Sequence, residues 1–187
     1  MTVLQGFAAQ VTAGTRVLVM GSMPGVASLT AGQYYAHRRN RFWPLMQALC
    51  GVDPAQPYEQ RLQALLAAGV GLWDVLAHCQ RPGSLDAAIR PGSEVAVDLP
   101  GLLPHCPQLR LVACNGAAAA RLYARHLQPA VEALRPGLRV LALPSTSPAN
   151  AASSLVVLEQ QWQALQPWLR AGNPADDTAA NAAGAHK

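Results

Sequence analysis

The feature that most constrains the fold of this chain is an alternation of short apolar runs with longer segments of helical periodicity. The apolar runs read RVLVMGS, VGLWDVL, LRLVACNG and LRVLAL, and they occupy residues 16–22, 70–76, 109–116 and 138–143. Helical patterns lie between or after them, as in RFWPLMQALCG, AAAARLYARHL and the final SSLVVLEQQWQALQPWL. Strands that alternate with helices pair in parallel and are covered on both faces. The sequence therefore predicts a three-layer α/β domain.

The chain is long enough for one domain with a sizeable core, since it has 187 residues of which 51% are hydrophobic. We expect that domain to span residues 1–170. The stretch from Ala171 to Lys187 has no apolar periodicity and predicts a disordered tail. No apolar run reaches the roughly 18 residues of a membrane-spanning helix, and the N-terminus lacks the basic segment of a secretory signal. A cytoplasmic protein is the simplest interpretation.

Charge and cysteine content exclude some ligand classes. A net charge of +4 is a mild bias toward polyanions and decides nothing alone. The four cysteines, Cys50, Cys79, Cys106 and Cys114, show no Cys-x-x-Cys spacing, so neither a zinc ribbon nor an iron–sulfur ligand set is indicated. We expect no metal site and a monomeric protein.

Unusual residues follow three of the predicted strands, as GSMPG, LWD and PSTSPAN, and CNG closes the remaining strand. In open α/β sheets the ligand site lies beyond the carboxyl ends of the strands. We therefore expect the polar residues of these loops to meet in one cleft. The segment QYYAHRRNRFWPL, which joins the first strand to the first long helix, adds aromatic rings and arginines beside it.

Taken in order, these segments match a known family. GSMPG, QYYAHRRNRFWPL, GLWDVL, RPGSLDAAI, CNGAAAA and LPSTSPAN together resemble the uracil-DNA glycosylase superfamily, and most closely its hypoxanthine-DNA glycosylase branch. The resemblance covers about residues 16–168. It implies an α/β/α sandwich with a central four-stranded parallel sheet, no cofactor, and removal of a deaminated base from double-stranded DNA. The sequence departs from the branch at Arg38, where proline usually precedes the asparagine motif.

Hydrolysis of the N-glycosidic bond requires a positioned water, and the resemblance assigns that task to Asn40. Much of the superfamily has an aspartate or asparagine at the centre of the first Gly-Pro motif, but this sequence has Met23 there, and a thioether orients water poorly. A carboxamide is no base at neutral pH, so its contribution is mostly positioning. Asn40 could instead, or also, cap the helix that starts near Arg41. Ser145 is the second predicted catalytic residue, since its hydroxyl could form a hydrogen bond to a phosphate or to the leaving base.

Base recognition is assigned to side chains of three loops. Tyr35 is the predicted stacking platform, while Tyr34 is expected to pack under the loop, and Phe42 with Trp43 in the core. Asp74 would accept a hydrogen bond from N1–H of hypoxanthine and disfavour adenine, whose N1 is an acceptor; its alternative role is a helix N-cap. The predicted base-binding residues are Gly21, Ser22, Met23, Tyr35 and Asp74, the first three through main-chain N–H groups of GSMPG.

The remaining polar residues are predicted to contact the DNA backbone or the gap left by the base. Arg38, Arg39 and Arg41 flank the expected cleft and suit phosphate, with at least one of them expected to be merely solvated. Ala149 and Asn150 lie near the position where the superfamily inserts a wedge, and both are small for that task. The predicted DNA-binding residues are His37, Arg38, Arg39, Ser147, Pro148, Ala149 and Asn150.

Three alternatives remain open at this level. Activity on uracil or mismatched bases is a close one within the superfamily. A module that binds damaged DNA without cutting is a second, motivated by the missing acidic residue at Met23. A nucleotide-binding Rossmann domain is less favoured, because GSMPG lacks the G-x-G-x-x-G spacing.

Overall fold

The computed structural model describes residues 3–170, which form seven strands and eight α-helices. The strands are β1 (Val3–Gln5), β2 (Val17–Gly21), β3 (Val70–Asp74), β4 (Leu76–Gln80), β5 (Val95–Ala96), β6 (Leu111–Asn115) and β7 (Arg139–Leu143). The helices are α1 (Val26–Ala31), α2 (Phe42–Cys50), α3 (Tyr58–Ala67), α4 (Leu99–Leu102), α5 (Ala117–His126), α6 (Gln128–Leu134), α7 (Leu155–Trp162) and α8 (Gln166–Leu169). The predicted disordered tail, residues 171–187, lies outside the described residues.

The central sheet has four parallel strands in the order β3-β2-β6-β7, which confirms the predicted parallel sheet. Its register places Gly21 opposite Asp74, and Asn115 opposite Leu143. Four residues that end four different strands therefore line up along one edge of the sheet. That edge is where the polar loops begin.

Two apolar layers cover the sheet, because successive residues of a strand point to opposite faces. Val17 and Val19 of β2 belong to the cluster that contains the buried residues of α2, α3 and α7. Leu18 and Met20 of the same strand belong to the cluster with α4, α5 and α6. The predicted three-layer α/β/α sandwich is confirmed by this arrangement.

The segment VGLWDVL differs from its prediction as a single strand. It divides at Val75: the main-chain N–H groups of Val75 and Leu76 still donate to Gly21 and Ser22 at the end of β2, and the chain then leaves the central sheet. The chain then enters β4, which forms a separate antiparallel sheet in the order β1-β4-β5. Short strands of two to five residues carry too little alternation for a sequence pattern to show them.

The predicted helical segments agree more closely with the structure than this strand does. Helix α2 contains Pro44 within its first turn, where a missing N–H costs nothing. Ser154 caps α7 by accepting from the N–H of Val157. The final helix is interrupted by a 3₁₀ turn at Gln163–Leu165, and α1 and α6 were not anticipated. Within residues 3–170, no helix is long and apolar enough to cross a bilayer.

Candidate active site

A cavity of about 170 Å³ opens at the edge of the sheet where the four parallel strands end. By a comparable measure a single water needs only about 10–15 Å³, so the cavity can receive a larger group. The structure brings most of the predicted site residues into its wall. These are Gly21, Ser22, Met23, Tyr35, His37, Asn40, Asp74, Ser145, Ser147 and Pro148.

Asp74 stands at the buried end of β3 and lines this cavity. The residue is 4% exposed, and its Oδ2 atom has no hydrogen-bond partner among the described residues. Burial, and secondarily the charge of Asp86, raises the pKa of Asp74 from 3.8 to about 7, with Arg81 opposing the rise. The alternative role as a helix N-cap is wrong, because the chain continues from Asp74 into β4.

Gly21 faces Asp74 across β2 and β3, and its lack of a side chain is a requirement of the site. A Cβ atom at this position would collide with Oδ1 of Asp74 and approach the Tyr35 hydroxyl to 3.8 Å. Such a clash with a buried carboxylate would force the carboxylate out of place. Gly21 therefore lets both polar groups converge on the same point of the cavity wall.

Tyr35 is held in an unusual backbone conformation, with a φ of 56° that is rare for residues other than glycine. Its ring stacks on Phe42, with centroids 4.0 Å apart and planes 21° from parallel. Its buried hydroxyl has no hydrogen-bond partner at normal distance and angle within residues 3–170. Burial, and secondarily the charge of Asp74, raises the pKa of Tyr35. Strain of this kind is typical of functional sites.

The residues next to Tyr35 in sequence take the structural roles expected of them. Tyr34 is 3% exposed and packs beneath the loop with its ring edge-on to Phe7. Phe42 and Trp43 are buried in the core, at 0% and 4% exposure. The stacked Phe42 ring supports one face of Tyr35 and fixes the plane in which that ring stands.

Asn40 lines the cavity and lies two residues before Phe42, the first residue of α2. Its Oδ1 atom accepts a hydrogen bond of 3.0 Å from the N–H of Phe42. A carboxamide oxygen has two lone pairs and the amide nitrogen two hydrogens, so this bond leaves capacity for a water. The N-cap position itself is Arg41, but the Asn40 side chain satisfies the first N–H of the helix, and this bond holds the carboxamide at the cavity wall.

The loop PSTSPAN is fastened to the neighbouring strand by Asn115. The Asn115 side chain donates to Thr146 Oγ1 at 3.0 Å and accepts from the Thr146 N–H at 2.9 Å. Gly116, at a φ of 102°, lies so close to Ser145 that a Cβ there would meet the Ser145 Cβ at 3.0 Å. The Ser145 hydroxyl oxygen accepts from the N–H of Ser147, which leaves its hydrogen free to donate.

Two predicted DNA-contacting residues of the same loop do not line the cavity. Ala149 is exposed at the loop tip. The side-chain amide of Asn150 folds back and donates to the Ser145 carbonyl at 2.9 Å. Neither residue therefore presents a side chain that projects as a wedge.

Arg41 departs from the expectation of a phosphate contact. Its guanidinium donates to the carbonyls of four residues in the 144–153 segment: Thr146, Ser147, Asn150 and Ser153. A guanidinium occupied in this way is a structural clamp rather than a group available to DNA. Arg38 and Arg39 differ, since both are exposed and line a shallow groove beside the cavity together with His37.

A second clamp, which the sequence did not indicate, fixes the first loop. Arg81 is 3% exposed and donates to the carbonyls of Met23 and Pro24 at 3.4 and 2.6 Å. It also pairs with Asp86 at 3.4 Å, and Asp86 accepts the Ser22 hydroxyl at 2.7 Å. The RPGSLDAAI segment therefore forms one wall of the cavity and holds GSMPG in place.

Sequence reasoning missed Asn115, Arg81 and Asp86 as parts of the site. Asn115 ends a strand in the short motif CNG, and that position at the cleft edge was its only signal. Arg81 and Asp86 lie in a turn-rich segment where charged residues are normally solvated. Among the described residues, no three His, Cys, Asp or Glu side chains come close enough together to hold a metal ion.

The site combines a cavity of about 170 Å³, an aromatic ring in its wall, a buried carboxylate and a fixed carboxamide, with exposed arginines outside it. Comparisons with known proteins agree with this chemistry. The family model of the uracil DNA glycosylase superfamily matches residues 9–169. A hypoxanthine DNA glycosylase from Methanosarcina acetivorans is 34% identical over 162 residues, covering 86% of this chain and 96% of that protein.

A second relative, a hypoxanthine DNA glycosylase from Methanosarcina barkeri, is 34% identical over 150 residues, covering 80% of this chain and 89% of that protein. An NMR structure from Methanosarcina acetivorans, provisionally assigned as a uracil DNA glycosylase, superimposes with a TM-score of 0.75 at 32% identity. It covers 90% of this chain and 99% of its own. The chain therefore belongs to the uracil DNA glycosylase superfamily.

Proposed function

We propose that this protein is a monofunctional DNA glycosylase that hydrolyses the N-glycosidic bond of deoxyinosine in double-stranded DNA and releases hypoxanthine. Two relatives that are named hypoxanthine DNA glycosylases support this proposal, and both align over most of this chain. The observation that carries it is the buried carboxylate of Asp74 in the cavity wall, with Oδ2 unpartnered among the described residues. An unpaired buried carboxylate is costly, and an N–H donor of the right ligand would relieve that cost.

The reaction begins with extrusion of the nucleotide from the duplex, because the glycosidic bond is out of reach inside the base stack. In the cavity the base lies against Tyr35, whose plane the Phe42 ring supports. Stacking of a base on an aromatic ring is worth about 1–3 kcal/mol in single-strand binding. Ionised Asp74 accepts N1–H of hypoxanthine, whereas adenine would bring a lone pair toward the same charge.

The attacking water is held by the Asn40 carboxamide at the cavity wall. As the bond lengthens, the sugar gains oxocarbenium character and negative charge moves onto the departing base. The free hydrogen of the Ser145 hydroxyl is a donor for that charge or for the adjacent phosphate. Arg38 and Arg39, exposed beside the mouth, attract the phosphate backbone without reading the base. We further propose that the protein acts as a monomer, since one copy of the chain supplies every residue that this mechanism uses. A cytoplasmic location is part of the same proposal, because the relatives are named as glycosylases of DNA.

The test is single-turnover incubation with duplexes that carry one inosine, one uracil or one adenine, followed by alkali to cleave abasic sites. We expect strand cleavage at inosine that is at least about tenfold faster than at either other base, the equivalent of about 1.4 kcal/mol. Faster cleavage at uracil would make the protein a uracil glycosylase. Tight binding of the inosine duplex with no abasic product would identify a damage-binding module and overturn the proposal.

A further inference from the structure

Extrusion of a nucleotide leaves a gap in the base stack, and proteins that open DNA commonly fill such gaps with an apolar side chain. The 144–150 loop offers only the compact ring of Pro148, which lines the cavity. Ala149 carries only a methyl group, and the Asn150 amide is bonded to the carbonyl of Ser145. A longer apolar side chain for the opened stack has to come from another part of the cavity mouth.

The opposite side of the mouth carries an exposed apolar residue. Ser84 and Asp86 both line the cavity, and Ser84 is itself exposed, so this segment forms part of the rim. Leu85 stands between them with 61% of its surface exposed. A single exposed leucine is common on proteins, but this one lies between two residues that line the cavity proposed to receive the base.

The segment that carries Leu85 is rigidly mounted. The Arg81 guanidinium joins this segment to the first loop by donating hydrogen bonds to the carbonyls of Met23 and Pro24. The Ser84 hydroxyl oxygen accepts from the N–H of Val26 at 2.9 Å, which joins the segment to the start of α1. Val26 is 49% exposed, so the two contacting segments present two apolar side chains at the same part of the rim. A preorganised contact loses little entropy on binding.

Charge around the mouth indicates what this rim faces. Arg38 and Arg39 are exposed in the groove that continues from the cavity through Ala27 and His37. Ala27 is the residue next to Val26 in α1, so the basic groove and the apolar rim adjoin. Cationic side chains beside projecting apolar ones suit a DNA duplex, which offers phosphates along the strand and base faces where the stack is opened.

We propose that Leu85, with Val26 next to its segment, packs against the base exposed beside the extruded nucleotide and thereby holds the duplex open. This inference rests on the proposed glycosylase function, and it assigns the wedge to the RPGSLDAAI segment instead of the PSTSPAN loop. The contact is needed only where a stack must be opened. Leu85 therefore matters for duplex substrates and not for single strands.

The experiment compares Leu85→Ala with Leu134→Ala in single-turnover excision from inosine-containing duplex and from the same strand unpaired. Leu134 is a matched control, because it is 64% exposed and lies on α6, outside the residues that line the cavity. We expect Leu85→Ala to lose at least about tenfold on duplex, which corresponds to about 1.4 kcal/mol, and less than about twofold on the single strand. Leu134→Ala should match the wild type on both, and Leu85→Phe should recover most of the duplex rate.

A second readout does not depend on chemistry. A duplex with 2-aminopurine next to the target base brightens when that base unstacks, and we expect binding of Leu85→Ala to brighten it less than binding of the wild type. Equal duplex rates for Leu85→Ala and wild type, or equal losses on duplex and single strand, would overturn the wedge assignment. If the wild type released no base from either substrate, the proposed function would fail instead, and the 2-aminopurine signal would still test the rim.

Discussion

At the scale of single residues, Asn40 combines a structural and a proposed catalytic task in one carboxamide. Its oxygen caps the first turn of α2 through the N–H of Phe42, and this contact fixes the group at the cavity wall. Loss of a capping side chain costs about 0.5–2 kcal/mol. An alanine variant would therefore confuse lost stability with lost catalysis.

Asn40→Ser separates the two tasks, because serine is a good helix cap but places its hydroxyl nearer the main chain. We expect its unfolding temperature to stay within about 2 °C of the wild type, while Asn40→Ala falls by more, since 1 kcal/mol corresponds to about 2–4 °C at this size. Both variants should bind DNA normally and lose at least about a hundredfold in excision, as positioned catalytic groups typically contribute. Near wild-type single-turnover rates for either variant would remove Asn40 from the mechanism.

Asp74 illustrates a residue kept at the expense of stability. Its pKa in the folded protein is about 7, above the ordinary value of 3.8, chiefly because it is buried. The folded state therefore holds a proton that the unfolded state has released between these values. The contribution to stability is fully present below about pH 4 and is lost as the pH rises through about 7.

Asp74→Asn removes this charge and should stabilise the protein at alkaline pH. We expect an unfolding temperature above that of the wild type at pH 8, because the buried carboxylate is charged there and its ionisation is unfavourable in the folded state. The difference should shrink toward pH 4, and inosine excision should fall at least about tenfold at pH 8. Thermal melts at both pH values check this, and an unfolding temperature unchanged at pH 8 would contradict the raised pKa.

At the scale of elements, the arginines near the cleft divide into clamps and phosphate contacts. Arg41 binds four carbonyls of the 144–153 segment with one planar group. Lysine has the same charge but cannot match that fork geometry. We expect Arg41→Lys to speed amide exchange in the 144–153 segment and to slow excision about tenfold or more, while the salt dependence of DNA binding stays the same. Unchanged exchange in that segment would show that the clamp contributes little.

Arg38 and Arg39 should behave in the opposite way. Both side chains are exposed, and among the described residues neither makes a side-chain hydrogen bond or ion pair, so replacing both with alanine should leave stability unchanged. Binding should weaken equally for inosine-containing and normal duplex, and the slope of log K against log salt should fall by about 2 or less. Titrations at several salt concentrations measure this. A loss confined to the inosine duplex would mean that these arginines read the base.

Which features of these elements could be predicted from the sequence depends on how far apart the interacting residues lie along the chain. The four parallel strands were visible because each is a continuous apolar run, and the strand-end loops converged because parallel strands end on one edge. The clamp by Arg81 was invisible, since the carbonyls of Met23 and Pro24 lie 57 or 58 positions away and accept from any donor. Main-chain acceptors leave no sequence signal. The same reason hid the role of Arg41 and the folded-back side chain of Asn150.

At the scale of the whole molecule, the site depends on segments drawn from almost the full length of the chain. Gly21, Asp74, Asn115 and Ser145 reach one cavity only because β2, β3, β6 and β7 lie in register. The last helix, α8, packs at the opposite end of the sheet. There the side chain of Arg16, the residue before β2, donates to the carbonyl of Leu169. The C-terminal helix thus supports the strand whose other end opens the cavity.

The contacts made by the last described residues support a proposal for the C-terminal boundary of the domain. Arg16 donates to Leu169 at 2.7 and 3.0 Å, and Arg110 donates to the carbonyls of Trp168 and Arg170 at 3.0 and 2.8 Å. We propose that residues 1–170 form a single glycosylase domain, so a chain ending at Arg170 should melt and excise inosine like the 187-residue chain. A chain ending at Leu165 should melt about 5–10 °C lower, because hydrogen bonds to charged groups are worth about 1.5–3 kcal/mol. Melting curves and single-turnover rates of the two truncations decide this, and a loss of activity on removal of residues 171–187 alone would place a functional contact in that segment.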